Sequence, residues 1–306
     1  MTGKKKTSSK KHCGFVSIIG APNAGKSTLI NQLVGSKVSI VSPKVQTTRT
    51  RVMGIVNKGS TQVVFVDTPG IFTPRKRLDR AMVSAAWQGT NDVEIILLII
   101  EVARGKINAE SQAIVDKLKQ QERKAVLVLN KIDLVEKEKL LKIATDMNET
   151  GVFTDIYMIS ALSGDGVDRL LKDITVRMPE GPWMFNEDQV SDMPMRLLAA
   201  EITREKIFLQ LKEELPYAST VETETWEEFD NGSVKISQIV YVMRDTQKAI
   251  ILGKGGQQIK KIGEASRKEL EEIFERRVHL SLFVKVRENW VDDPDRYAAW
   301  GLDFGA

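Results

Sequence analysis

Gly20-Ala21-Pro22-Asn23-Ala24-Gly25-Lys26-Ser27 fits the spacing G-x-x-x-x-G-K-[S/T], whose chemistry is phosphate binding. Glycines let backbone N–H groups turn inward onto phosphate oxygens, and a helix N-terminus behind them adds the positive end of its dipole. Lys26 is the candidate to reach the β- and γ-phosphates, and the Ser27 hydroxyl is the candidate Mg²⁺ ligand. Ala24 and Thr28 stand with them as nucleotide-binding residues. The bland alternative is a glycine-rich turn before an ordinary helix. The flanks favour the loop: Phe15–Ile19 reads as a buried strand, and Leu29, Ile30, Leu33 and Val34 recur at helical spacing.

More chemistry-bearing stretches follow, each after an apolar run. Asp67-Thr68-Pro69-Gly70 follows Val63–Val66. A carboxylate there can hold Mg²⁺ through water, and the Gly70 N–H can point at a γ-phosphate because glycine permits close approach. Asn130-Lys131-Ile132-Asp133 follows Val126–Leu129. Asp133 can accept from guanine N1–H and the 2-amino group, which adenine cannot offer. Asn130 can bond N7 and tie loops together, and Lys131 can lay its stem over the ring. Ser160-Ala161-Leu162 follows Ile156–Ile159, and its backbone N–H can meet guanine O6. Any one of these stretches could be an ordinary turn; the ordered set, each at a strand end, is what points to a guanine nucleotide.

These loops need a scaffold. From Gly14 to Met178, strand-like runs alternate with helical patterns, and Val52–Asn57 and Gln62–Val66 flank Lys58-Gly59-Ser60 as a hairpin. The expected fold class is α/β: a doubly wound, mostly parallel sheet with helices on both faces and one antiparallel edge. Ligands of such sheets bind beyond the carboxyl ends of the strands, where the motifs fall.

After Met178 the organisation changes. Residues 179–194 are polar and proline-marked and read as a linker. A long helix (Met195–Leu215), two alternating strands (Val221–Phe229 and Val234–Val242) around Asp230-Asn231-Gly232, a short helix (Thr246–Leu252), a helix (Gln257–Glu275) and a strand (Val278–Val286) follow. Gly253-Lys254-Gly255-Gly256 joins the two later helices. Lys254, Lys260 and Lys261 gather charge at that end, and Ile250, Ile251 and Ile259 are expected to floor a groove. Trp290, Tyr297, Trp300 and Phe304 read as aromatic packing onto this domain, with base stacking as the alternative. The expected division is a basic flexible tail (1–13), a first domain (14–178), the linker (179–194) and a smaller α+β domain (195–306).

Composition sets limits. The 306 residues suit about two domains, and 42% apolar with 28% charged residues describes a soluble globular chain. Apolar runs are too short to span a membrane, and no secretory signal is visible. Cys13 is the only cysteine, and His12 and His279 are the only histidines. A reducing compartment is expected, without a Cys/His zinc site or histidine-based nucleophilic catalysis. The net charge of +4 permits nucleic acid without demanding it. Lys4, Lys5, Lys6, Lys10 and Lys11 make a solvated tail or a supplementary RNA contact.

Gly20–Ser27, Asp67–Gly70, Asn130–Asp133 and Ser160–Leu162 resemble the motifs of translation-factor-class P-loop GTPases. Their remaining motif needs a threonine before the second strand. Ser42–Arg49 supplies it, with Thr48 chosen to close on Mg²⁺ in the GTP state and Thr47 as the other candidate. Lys26, Thr48 and Gly70 are then the catalytic candidates, and Ser27, Thr48 and Asp67 the Mg²⁺ set. Small signalling GTPases place a water-orienting glutamine where this chain has Ile71, which implies slow hydrolysis unless RNA, the ribosome or a cation assists. Asn23 resembles the asparagine that ligates K⁺ in potassium-activated GTPases; it could equally stabilise the loop.

The second half resembles a type II KH domain, whose G-x-x-G loop clamps a single-stranded backbone. Gly253, Lys254, Gly255, Gly256, Lys260 and Lys261 are the RNA-binding candidates. The pairing resembles the Era family over nearly the whole chain. That resemblance implies a cytoplasmic, monomeric GTP/GDP-binding assembly factor of the small (30S) ribosomal subunit. It would grip 16S-type rRNA near its 3′ end, with nucleotide state governing the grip. Two alternatives stay open: a membrane-associated signalling switch, for which peripheral membrane contact would be needed, and a GTPase partner of an RNA-modifying enzyme.

Overall fold

The computed structural model describes residues 10–44, 47–211 and 215–306. Most of the basic tail (Lys4, Lys5 and Lys6), Val45 and Gln46 lie outside the described residues, as do residues 212–214 of the expected long helix. That helix already ends at Gln210, because Leu211 turns to extended backbone at φ −106° and ψ 154°. The chain divides into two compact units. Among the described residues, the first comprises 10–38, 51–73 and 83–192, and the second 39–44, 47–50, 74–82, 193–211 and 215–306.

The first unit carries β1 (His12–Ile19), α1 (Lys26–Val34), β2 (Val52–Lys58) and β3 (Thr61–Asp67). The end of α2 (Arg77–Gln88), β4 (Ile95–Glu101), α3 (Ala109–Gln120) and β5 (Ala125–Asn130) come next. Then follow α4 (Lys137–Glu149), β6 (Phe153–Ile159) and α5 (Val167–Thr175). The sheet order is β2-β3-β1-β4-β5-β6. All neighbours run parallel except the β2–β3 hairpin. Both faces of the central strands are buried, so β4 reads as the uninterrupted run IILLII. α1 and α5 meet on one face. On the other, Ile114 and Leu118 of α3 and Leu140 and Ile143 of α4 pack on Leu98, Ile100 and Leu127.

The tail and the linker differ from expectation. β1 begins at His12, and Lys10 pairs with Glu180 at 2.8 Å. Most of the linker belongs to the first unit and lines the sheet. Cys13 N–H donates to Pro179 O (3.1 Å) and Ile55 N–H to Val190 O (2.9 Å). Gln62, fully buried, accepts from Met184 and Phe185 N–H at 2.8 and 3.0 Å and donates to Phe185 O. The physical reason is the edge: outward N–H groups of β2 need acceptors, and the proline-marked chain supplies them without being a regular strand.

The second unit carries α6 (Met195–Gln210), β7 (Ser219–Glu228), β8 (Val234–Val242), α7 (Asp245–Leu252), α8 (Gln257–Phe274), β9 (Val278–Val286) and α9 (Pro294–Ala299). β7 and β8 are antiparallel, and β9 adds parallel to β8. Ile207, Val240, Ile251 and Ile262 form one core; Ile202, Ile236, Leu270 and Val278 form another with Ile40. The segment 39–50 is thus built into this unit. Val41 N–H donates to Glu205 at 2.7 Å, and Arg49 donates to Ser219 O and Tyr217 O at 3.0 and 3.3 Å. Arg204, nearly inaccessible, donates to Glu201 at 2.7 Å and to Thr47 O. Burial and the Arg204 charge lower the proton affinity of Arg49, while Glu201 opposes them. Trp290 and Tyr297 are fully buried, and Trp290 Nε1 donates to Ala218 O at 3.2 Å, so the aromatic tail packs as expected.

Candidate functional site

The candidate nucleotide residues of the first unit gather at the carboxyl ends of β1, β3, β5 and β6. β1 ends at Ile19, and the loop from Gly20 enters α1 at Lys26. Gly25 caps that helix at φ 101°, and Asn23 is also left-handed at φ 61°. A Cβ on Gly25 would lie 2.2 Å from Asn130 Nδ2, and one on Gly20 2.4 Å from Ile99 O. Only glycine fits either place.

Lys26 is buried, and its ammonium donates to Gly20 O and Ala21 O at 3.2 and 3.0 Å. Burial lowers its pKa from 10.5 to about 8, with Asp67 pulling the other way. Ser27 Oγ donates to Asp67 Oδ2 at 2.8 Å, and Asp67 is fully buried. A hydroxyl facing a carboxylate is a hard-oxygen pair of the kind Mg²⁺ takes. Gly70 sits so close to Pro22 that a Cβ would come within 3.1 Å. Ile71 N–H donates to Gly20 O at 3.0 Å, and its side chain is buried with Ile19 and Leu98. The Asp-x-x-Gly stretch is therefore stitched to the phosphate loop, and Ile71 serves the core.

Asn130 is the tie among the base-side loops. Its Nδ2 donates to Ala24 O at 2.8 Å, and its Oδ1 accepts from Ala161 N–H at 2.9 Å. The Ala161 N–H, a candidate for guanine O6, is thus committed to Asn130. Asp133 lies exposed in a 3₁₀ turn over Ile132–Leu134, and Leu162 is 84% exposed. Ser160 is buried. Sequence reasoning passed over Glu101, which lies 3.0 Å from Lys131; the signal was a carboxylate closing an apolar strand run.

Thr48 falls in the second unit and is buried there. The Thr47 hydroxyl lies 2.6 Å from Ser42 Oγ and 2.7 Å from Lys44 O.

In the second unit, Gly253, Gly255 and Gly256 have φ 69°, 59° and 75°. Their loop joins α7 to α8, whose N-terminus follows at Gln257. A Cβ on Gly255 or Gly256 would meet no atom within 4 Å. Lys254, Lys260 and Lys261 are exposed at this end. Ile250 is 56% exposed and Ile259 is partly buried. Ile251 is fully buried, so it belongs to the core and not to a groove floor.

A phosphate loop on a doubly wound sheet, tied through one asparagine to the base-side loops, defines a P-loop GTPase domain, and the second unit has the KH architecture. Family models agree: a 50S ribosome-binding GTPase model matches residues 15–131 and a KH domain model residues 214–291. GTPase Era of Rhizobium meliloti is 59% identical over 291 residues, 95% of this chain and 93% of that one. GTPase Era of Brucella suis is 57% identical over 99% of this chain and 97% of its own. The chain belongs to the Era family of GTPases. Among solved structures, Era in complex with MgGDPNP and nucleotides 1506-1542 of 16S ribosomal RNA superposes with a TM-score of 0.89. It is 39% identical, over 95% of this chain and 99% of that one. A single-residue variant of Aquifex aeolicus Era bound to GDP.AlF4- gives 0.88 at the same identity and coverage.

Proposed function

We propose that this chain hydrolyses GTP to GDP and phosphate and, through its KH unit, grips single-stranded 16S-type rRNA near the 3′ end. It acts as a cytoplasmic, monomeric assembly factor of the small ribosomal subunit. The observation that carries the RNA half is the loop at Gly253–Gly256, where left-handed Gly255 and Gly256 leave open space beside exposed Lys254, Lys260 and Lys261. The 16S strand held by the 39%-identical full-length relative supports the small subunit as the destination. The family model for the first domain is described by 50S binding, and it covers only that domain.

The residues have these roles in the reading. Gly20, Asn23, Ala24, Gly25 and Thr28 cradle the phosphates by their backbone. Lys26 leaves its loop carbonyls for the β- and γ-phosphate oxygens. Ser27 and Asp67 would hold Mg²⁺, which neutralises charge on the phosphate oxygens when bound. Gly70 offers its N–H to the γ-phosphate, and Asp133 reads the guanine edge. Ile71 has no group to orient water, so hydrolysis is slow until RNA, the ribosome or K⁺ assists. Asn23 is the proposed K⁺ ligand: replacing Na⁺ by K⁺ at equal ionic strength should speed turnover, and Asn23→Ala should abolish the difference. Equal rates in both salts would refute it.

The main test is the double substitution Lys254→Asp and Gly255→Asp. Filter binding of a 16S 3′-end oligonucleotide should collapse, while GDP binding stays at the wild-type level. Each lost phosphate contact lowers the salt slope by about 0.7 on a single strand. Retained RNA affinity would show that this loop is not the clamp. Flotation with anionic vesicles instead of RNA capture would favour the membrane reading.

A further inference from the structure

Glu101 is the last residue of β4 and stands level with Asn130 in the parallel register of β4 and β5. The next residue after Asn130 is Lys131, whose backbone is left-handed at φ 67° and ψ 40°. Side-chain-bearing residues seldom adopt that conformation, and those that do concentrate at functional sites. The Lys131 ammonium and the Glu101 carboxylate are 3.0 Å apart, with 33% and 25% of the two side chains exposed. A partly exposed ion pair contributes little to folding.

We propose that Glu101 is a positioning residue for nucleotide binding. By anchoring the Lys131 ammonium at the carboxyl end of β4, it holds the lysine methylene stem where a purine face is received. This rests on the reading of Asn130–Asp133 as the guanine site. A free lysine stem samples many rotamers, and ordering it on ligand arrival subtracts from affinity. The ion pair orders it beforehand.

The sign of one substitution separates this role from a mere charge effect. Glu101 is an anion in a site that takes an anionic ligand. If its charge were all that mattered, Glu101→Gln would tighten nucleotide binding, most at low salt. Positioning predicts the opposite, with little salt dependence.

The experiment titrates GDP against the full chain and the variants Glu101→Gln, Lys131→Ala and the double variant, at low and high salt. Glu101→Gln should raise Kd about threefold to tenfold at both salt levels, with the ligand-free melting temperature unchanged. Lys131→Ala should raise it further, and the double variant should match Lys131→Ala alone. Tighter or unchanged binding by Glu101→Gln beside a damaged Lys131→Ala overturns the positioning role and leaves the guanine-site reading intact. Full additivity in the double variant also overturns it, because Glu101 would then act without Lys131. Wild-type affinity in Lys131→Ala removes the underlying reading of Lys131 and the proposal with it.

Discussion

Two glycine loops of this chain look alike as strings and differ as structures. In the phosphate loop a Cβ on Gly25 would strike Asn130 Nδ2 at 2.2 Å, and one on Gly20 would strike Ile99 O at 2.4 Å. In the loop between α7 and α8, a Cβ on Gly255 or Gly256 would meet nothing within 4 Å. The lysines differ in the same way: Lys26 is buried and bonded to loop carbonyls, while Lys254 is exposed. The first loop is a finished object whose glycines are demanded by neighbouring protein. In the second, Gly253 is held by protein, since its Cβ would lie 2.7 Å from Gln258 Cβ, whereas Gly255 and Gly256 face open space and are asked to be glycine by their backbone angles alone.

The largest effect that would sharpen this contrast is Gly25→Ala. The left-handed backbone and the clash with Asn130, whose amide ties Ala24 to Ala161, together cost about 3 kcal/mol or more. GDP affinity should fall by at least roughly a hundredfold at that cost, and the ligand-free melting temperature should drop. RNA binding, housed in a separate core, should persist. Near wild-type GDP affinity would mean that the loop relaxes easily and the contrast is false.

Gly255→Ala comes next. Its φ of 59° costs an alanine about 1–2 kcal/mol within the fold, a small change in melting. RNA affinity should fall about tenfold, because the methyl group enters ligand space, while GDP binding stays unchanged. RNA affinity equal to wild type would show that the open side of the loop is not where the strand lies.

The smallest effect is a pH dependence. In the free protein, burial brings the Lys26 pKa to about 8 from 10.5. The sign follows from linkage: charging Lys26 opposes folding below about pH 8, and that penalty is relieved as pH rises from there toward 10.5. Phosphates that pair with the ammonium restore its charge, so nucleotide affinity is full below that pKa and falls above it. Between about pH 7 and 8.5, Kd for GDP should rise roughly fourfold. A flat profile would show that Lys26 stays charged without phosphate, and the contrast between buried and exposed lysines would lose its electrostatic part.

Much of the site was legible because it is local. The phosphate loop, Asp67–Gly70 and Asn130–Asp133 are short strings at the ends of β1, β3 and β5, and their strands announce themselves as β-branched apolar runs. β8 and β9 were read with the bounds they have, because alternation and flanking turn residues mark them. The course of the linker is not legible, for the opposite reason. Residues 179–192 carry no period of their own and take their conformation from acceptors and donors on β1, β2 and Gln62, more than a hundred residues away in sequence. Period alone does not say which of the adjacent Ile250 and Ile251 faces inward; the core around Val240 and Ile262 takes Ile251.

By itself the sequence determined the order of the elements, the phosphate loop and the G-x-x-G turn, since each rests on residue type and spacing within one or two turns of chain. Tertiary structure alone decided the company these pieces keep. It joined the segment 39–50, with Thr48, to the second unit through Ile40 and Arg49. It spent both ends of the Asn130 amide on Ala24 and Ala161 and paired Lys131 with Glu101. Such contacts depend on which strand ends the sheet brings side by side. That is a property of packing across the whole fold, and no local pattern carries it.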